Sequence, residues 1–148
     1  MTIKTIRMVL GCGCVAITFA ALSSALTFAQ NSSPLSGTSW QLVKFQGPDE
    51  STYTPDQKSK YTITFGSNGR VTARVDCNRA SSTWRSGANG ELSFGSWSRS
   101  SAKCGPNSLH DRIVMEGGAV KKFEIKDGRL YLSAAGGYYE LEPMPGRR

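Results

Sequence analysis

Along residues 61–77 apolar and polar positions alternate with a period of two. Tyr61, Ile63 and Phe65 are separated by Thr62 and Thr64; Val71, Ala73, Val75 and Cys77 are separated by Thr72, Arg74 and Asp76. That period belongs to a strand with one buried face. Ser67-Asn68-Gly69 stands between the two runs, and Asn-Gly in that position signals a tight hairpin. The pattern predicts Cys77 at the edge of the core, with Arg70, Thr72, Arg74 and Asp76 in solvent.

The same reading extends in both directions. Gly37 to Phe45 is a first strand, and Gln46 to Lys60, with Gly47, Pro48 and Pro55, is a loop long enough to be functional or mobile. Ser82–Arg85, Glu91–Phe94 and the more polar Ser96–Ser101 continue the strands. After Cys104 the spacing of Leu109, Arg112, Ile113 and Glu116 changes to that of a helix, started near Asn107 or Ser108 and stopped by Gly117-Gly118. Strands return at Lys122–Lys126, Arg129–Ser133 and Tyr138–Glu142, separated by Asp127-Gly128 and Gly136-Gly137. Short strands with a turn about every 8–12 residues predict a sandwich or barrel. The expected fold is mainly β and antiparallel, with one short helix between Cys104 and Lys122. Trp40, Trp84, Trp97, Tyr131 and Tyr139 are expected in its core, with a ligand box as the other reading.

The N-terminus has a different character. Lys4 and Arg7 precede the apolar run Met8–Leu22, and small residues lead to Thr27-Phe28-Ala29. This is the layout of a secretory signal peptide, residues 1–29, cleaved near Ala29. An uncleaved membrane anchor and a lipid anchor at Cys12, in Leu10-Gly11-Cys12, are the alternatives. Residues 30–36 then form a flexible lead-in, 37–143 the domain, and 144–148 a tail.

Export changes the meaning of the cysteines. With Cys12 and Cys14 removed, Cys77 and Cys104 remain, and a pair in an exported domain is most simply a disulfide. Its loop of about 27 residues contributes on the order of 3–4 kcal/mol in the chain-entropy model. Metal binding lacks ligands, since His110 is the single histidine. The net charge is +7, and loss of Lys4 and Arg7 leaves +5. A basic exported protein meets anionic envelope surfaces, and nucleic acid is not an expected partner.

Little else carries chemistry. His110 lies beside Asp111 on the polar side of a short helix. Ser100-Ser101-Ala102-Lys103 matches an S-x-x-K pattern without the partner motifs of penicillin-interacting enzymes. No catalytic residue, metal site or cofactor is assigned. Arg70, Arg74, Arg85 and Arg99 are a candidate stripe for an anionic ligand, or simply a solvated face.

Several stretches together resemble the META/HslJ family. Leu35-Ser36-Gly37-Thr38-Ser39-Trp40-Gln41-Leu42 is similar to its L-x-G-T-x-W-x-L opening, and Cys77-Asn78-Arg79 to its G-C-N-R. Ala102-Lys103-Cys104 is similar to its A-C-P, and Phe65–Val71, Leu92–Phe94, Val120, Phe123, Ile125 and Leu130–Leu132 complete the likeness. Asp76 stands in place of the usual glycine, Gly105 separates Cys104 from Pro106, and Gly117-Gly118 interrupts the helix early. The resemblance implies a lipocalin-like β-barrel of the cell envelope, non-enzymatic, acting by binding in stress response or novobiocin-type antibiotic tolerance. Asn78 and Arg79 transfer as a signature with no catalytic role. Its partner is then an envelope protein or a small apolar or anionic ligand. Two other functions stay open: a periplasmic inhibitor of a protease or lysozyme, with Gln46–Lys60 as an inserting loop, and a carrier of a small apolar ligand.

Overall fold

A computed structural model describes residues 33–116 and 119–146 of the chain. The expected signal peptide, Cys12, Cys14, the Gly117-Gly118 helix stop and the last two tail residues lie outside the described residues. Ten strands follow one another: β1 (Thr38–Gln46), β2 (Thr52–Tyr53), β3 (Tyr61–Phe65), β4 (Arg70–Val75), β5 (Asn78–Ser86), β6 (Leu92–Phe94), β7 (Ser98–Arg99), β8 (Val120–Lys126), β9 (Arg129–Ala134) and β10 (Gly137–Pro143). Eight of them form an antiparallel sheet in the order β6-β5-β4-β3-β1-β10-β9-β8, with β2 on β1 and β7 on β5. A bridge between Glu91 and Lys122 joins the two ends, so that the sheet forms a nearly closed barrel.

Alternation along each strand sends one set of side chains inward. Ile63 pairs with Ala73, and Ala73 with Ala80, so these three share the inner face. On β1 the register shifts between Leu42 and Lys44, and the bulge lets Leu42 and Phe45 both point into the core. The outer face of β1 and β10 is an ionic belt. Glu140 takes Lys44 at 3.2 Å and Arg129, and Glu142 takes Lys58 at 2.9 Å and the Gln41 amide at 2.9 Å.

One end of the barrel is filled. Leu35, Phe65, Val71 and Leu130 are fully buried there, and the Phe65 ring meets Trp84 edge-on at 5.2 Å. Leu35 therefore belongs to the core and not to a flexible lead-in. The turn that carries it is tied down by Thr38 Oγ1, which donates to the Leu35 carbonyl at 2.6 Å and accepts from Trp40 Nε1 at 2.8 Å. Gly37 adopts φ 74 in that turn, a left-handed conformation that favours glycine.

The other end is covered by a single helical turn, Arg112–Glu116, shorter than the helix expected from residue 107. Tyr61 and Tyr139 hold it from inside the barrel. The Leu109 amide donates to the Tyr61 hydroxyl at 3.0 Å, and the Tyr139 hydroxyl donates to the Ile113 carbonyl at 3.4 Å. From outside, Arg112 donates to the Tyr53 hydroxyl at 2.6 Å and lies over that ring. The long Gln46–Lys60 segment is thus not a free loop: it contributes β2, the turn Lys58–Lys60 and the Lys58–Glu142 ion pair.

Further expectations need correction. Cys77 is exposed and Asn78 is buried in its place, because Asp76 and Cys77 form a two-residue turn and the inward pattern resumes at Asn78, opposite Val75. β5 runs from Asn78 to Ser86, well beyond the expected Ser82–Arg85. Trp97 is exposed at 38%, and Tyr131 stacks on Tyr138 on the outer face at 5.7 Å. Only Trp40, Trp84 and Tyr139 of the five proposed core aromatics are buried.

Candidate functional site: a chamber under the helical turn

Between the filled end and the helical turn lies a chamber of about 560 Å³. Leu42, Leu132 and Leu141 line it toward the core, and Ile113 and Val114 of the helical turn face it from the opposite side. Its volume falls within the range of about 300–1,000 Å³ common for small-molecule sites. The space exists because the residues around it are small. Ala73 and Ala80 face each other across β4 and β5 on the inner face. Larger inward residues at these positions would fill the volume, as Phe65 and Trp84 do at the other end.

The mouth lies along the weakest seam of the barrel. β6 has three residues and meets β8 through the single Glu91–Lys122 bridge. Phe94, Trp97 and Arg99 line the chamber from the β6–β7 side, and Ala119, Val120 and Lys121 from the β8 side. Phe94 and Trp97 contact each other with ring centres 5.2 Å apart. The hydroxyls of Tyr61 and Tyr139 are committed to the helical turn, and burial pushes the Tyr139 phenol up to about 12. The interior therefore offers an apolar, neutral surface at ordinary pH.

The four arginines of the candidate stripe do not come together. Register places Arg70, Arg74 and Arg85 on the outer face of β4 and β5, together with Arg79, which is directly opposite Arg74. Arg74 Nε donates to the Asp76 carbonyl at 2.9 Å. Arg99 pairs with Ala80 and so belongs to the opposite, inner-facing side, at the chamber mouth.

Cys77 and Cys104 form a disulfide with Cα atoms 5.6 Å apart. Beside it the buried Asn78 carboxamide acts as a substitute peptide. Its Nδ2 donates to the Ala102 carbonyl at 2.8 Å, and its Oδ1 accepts from the Ala102 amide at 2.8 Å and from Ser100 Oγ at 2.9 Å. Ser100 Oγ also accepts the Arg79 amide at 3.0 Å, so this serine serves the scaffold. The Arg79 side chain is exposed. His110 Nδ1 meets Asp111 at 2.9 Å, away from the chamber lining. Among the described residues no three His, Cys, Asp or Glu side chains converge on a common point.

A family model described as the META domain matches residues 33–142. The chain belongs to the META domain family. The geometry explains two META signatures: the opening motif supplies the Leu35 plug with its Thr38 and Trp40 hydrogen bonds, and Asn78 clamps the Ser100–Ala102 segment. No curated protein matches the sequence. Among solved structures, an NMR structure of a protein from Burkholderia xenovorans is similar at 17% identity and TM-score 0.60, over 76% of this chain and 85% of that one. A crystal structure of a DUF4847 family protein from Bacteroides vulgatus is similar at 12% identity and TM-score 0.52, over 72% of this chain and 92% of that one. At these identities the likeness is one of fold.

Sequence reasoning kept a ligand box and a carrier of a small apolar ligand open but did not locate the lining of the chamber. Its signal was present, since Ala73 and Ala80 are small residues at inward positions of adjacent strands. Lys121 was also missed: it shares the inner face with Phe123, but a lysine at an inward position carries no apolar signal.

Proposed function

We propose that this META domain protein is an exported, non-enzymatic binding protein of the cell envelope whose barrel carries a small, mostly apolar ligand. The observation that carries this reading is the chamber of about 560 Å³, apolar within and open along the β6–β8 seam. A barrel of eight strands can hold one small ligand. The Cys77–Cys104 disulfide and the leader-like pattern of residues 1–29 support export. Sequestering an apolar compound is a direct route to the stress or antibiotic tolerance that the family resemblance implies.

The inhibitor alternative draws less support. An inserting loop has to project from its scaffold, whereas Gln46–Lys60 is pinned through β2, Lys58 and the Arg112–Tyr53 contact. The carrier reading is tested by titrating the protein with the neutral dye N-phenyl-1-naphthylamine while following tryptophan emission. Saturable binding that disappears on replacing Ala73 and Ala80 by leucine is expected. Absence of binding by a folded protein overturns it.

A further inference from the structure

The chamber is apolar inside, and the charged residues in its lining are all cationic. Arg74, Arg99 and Lys121 line it, and no Asp or Glu is among its lining residues. Arg74 is engaged with the Asp76 carbonyl. Arg99 and Lys121 are both exposed, and among the described residues neither has an ion-pair partner. On the outer face Lys44 and Arg129 are paired with Glu140, and Lys58 with Glu142.

Two independent features bring the unpaired cations to the mouth. The first is register: Arg99 pairs with Ala80, so it shares the inner-facing side of the β5 edge. The second is the alternation of β8: Lys121 lies two residues before Phe123, which faces the buried Leu132, so the two share the inner face. The β8–β9 pairing shifts between Val120 and Lys122, making Lys121 the extra residue. Strict alternation would separate Val120 and Lys121 to opposite faces, yet both line the chamber. The bulge therefore re-aims Val120, which joins Lys121 on the inner side. The cations thus come from the two sides of one seam, above an apolar volume.

Resting on the carrier reading, we infer that the ligand is an anionic single-chain amphiphile, its chain in the chamber and its head group held by Arg99 and Lys121. Burial of the chain supplies most of the binding, and the two cations select the head group through charge-assisted hydrogen bonds. The lining has no carboxylate to accept a cationic head, and a neutral head leaves both cations without a partner. A carboxylate and a phosphate monoester satisfy the same chemistry.

The experiment is displacement of N-phenyl-1-naphthylamine by four probes of equal chain length: dodecanoate, dodecyl phosphate, dodecanol and dodecylamine, below their critical micelle concentrations. At least one anion is expected to compete about tenfold better than dodecanol, with the amine weakest. Arg99→Gln with Lys121→Gln should abolish that preference, leave dodecanol affinity unchanged and keep the melting temperature, since both side chains are exposed. The order of the two anions names the head group as carboxylate or phosphate. Equal competition by anions and alcohol, or a preference that survives in the double variant, overturns the head-group assignment while leaving the carrier reading in place. Failure of the dye itself to bind overturns both.

Discussion

Asn78 and Ala102 are joined as two strands are, although one partner is a side chain. The carboxamide donates to and accepts from the Ala102 backbone, both at 2.8 Å. This reciprocal pair holds the Ser100–Lys103 segment against the β4–β5 turn beside the disulfide. Asn78→Ala leaves the Ala102 amide and carbonyl without that partner and should cost about 1–3 kcal/mol. Urea unfolding with an unchanged slope and a lowered midpoint is the expected result; a midpoint equal to that of the native protein contradicts the clamp.

The Cys77–Cys104 bond closes a loop of 27 residues containing β5, β6 and β7. Opening it frees the unfolded chain and should reduce stability by about 3–4 kcal/mol. Cys77→Ser and Cys104→Ser should each lower the melting temperature clearly, and reductant should do so for the native protein alone. Because Cys77 is exposed, loss of its buried surface does not confuse the comparison.

Asp76 holds φ 56 at the first position of its two-residue turn. That conformation costs a residue with a Cβ roughly 1 kcal/mol or more relative to glycine. The glycine of the G-C-N-R motif that this stretch resembles fits the same left-handed conformation. Asp76 is also 3.7 Å from Lys60, a partly exposed ion pair of small value. Asp76→Gly should therefore leave stability unchanged or raise it by up to about 1 kcal/mol. A fall of several degrees in melting temperature would show that the Lys60 contact outweighs the backbone relief.

Acid should weaken the outer belt. At Glu140, burial pulls the carboxyl upward, but hydrogen bonds and charge from Lys44 and Arg129 outweigh it and hold it below the ordinary range. At Glu142, hydrogen bonds from Lys58 and Gln41 dominate, in the same direction. A carboxyl depressed in the folded state stabilises fully above its unfolded value, near 4.5 for Glu, and that contribution is lost as pH falls through the folded value. Melting temperature should fall as the pH drops below about 4.5, and Glu140→Gln should flatten the decline. A decline of unchanged steepness in Glu140→Gln would place the acid-sensitive group elsewhere.

How much was legible in the sequence depended on whether a feature is local. Strands β3, β4, β9 and β10 announced themselves through alternation and Gly-containing turns, the export pattern paired Cys77 with Cys104, and the resemblance singled out Asn78. Cys77 was assigned to the wrong environment because alternation was carried through a turn, where chain reversal resets it. Arg99 was grouped with Arg70, Arg74 and Arg85 by charge, but its face is decided by pairing with Ala80, a contact no local pattern specifies. Leu35 looked like lead-in since one apolar residue among polar neighbours has no period. The lining of the chamber was not located for a related reason: it depends on which small residues face one another across strands.

That last point gives the sharpest test of the site. Ala73 and Ala80 are directly paired, and each adds little more than a methyl group to the chamber wall. Ala80→Leu adds apolar volume where space exists, so it should be accommodated with a change in stability within about 1–3 kcal/mol, the usual limit for overpacking. Its effect on binding should be far larger, since the inserted side chain occupies the volume a ligand chain requires. The informative comparison is Ala80→Leu against Thr72→Leu, which adds a similar group to the outer face of the same hairpin. Dye binding lost in the first and kept in the second would tie the ligand to the interior. Loss in both, or in neither, would move the binding surface away from the chamber.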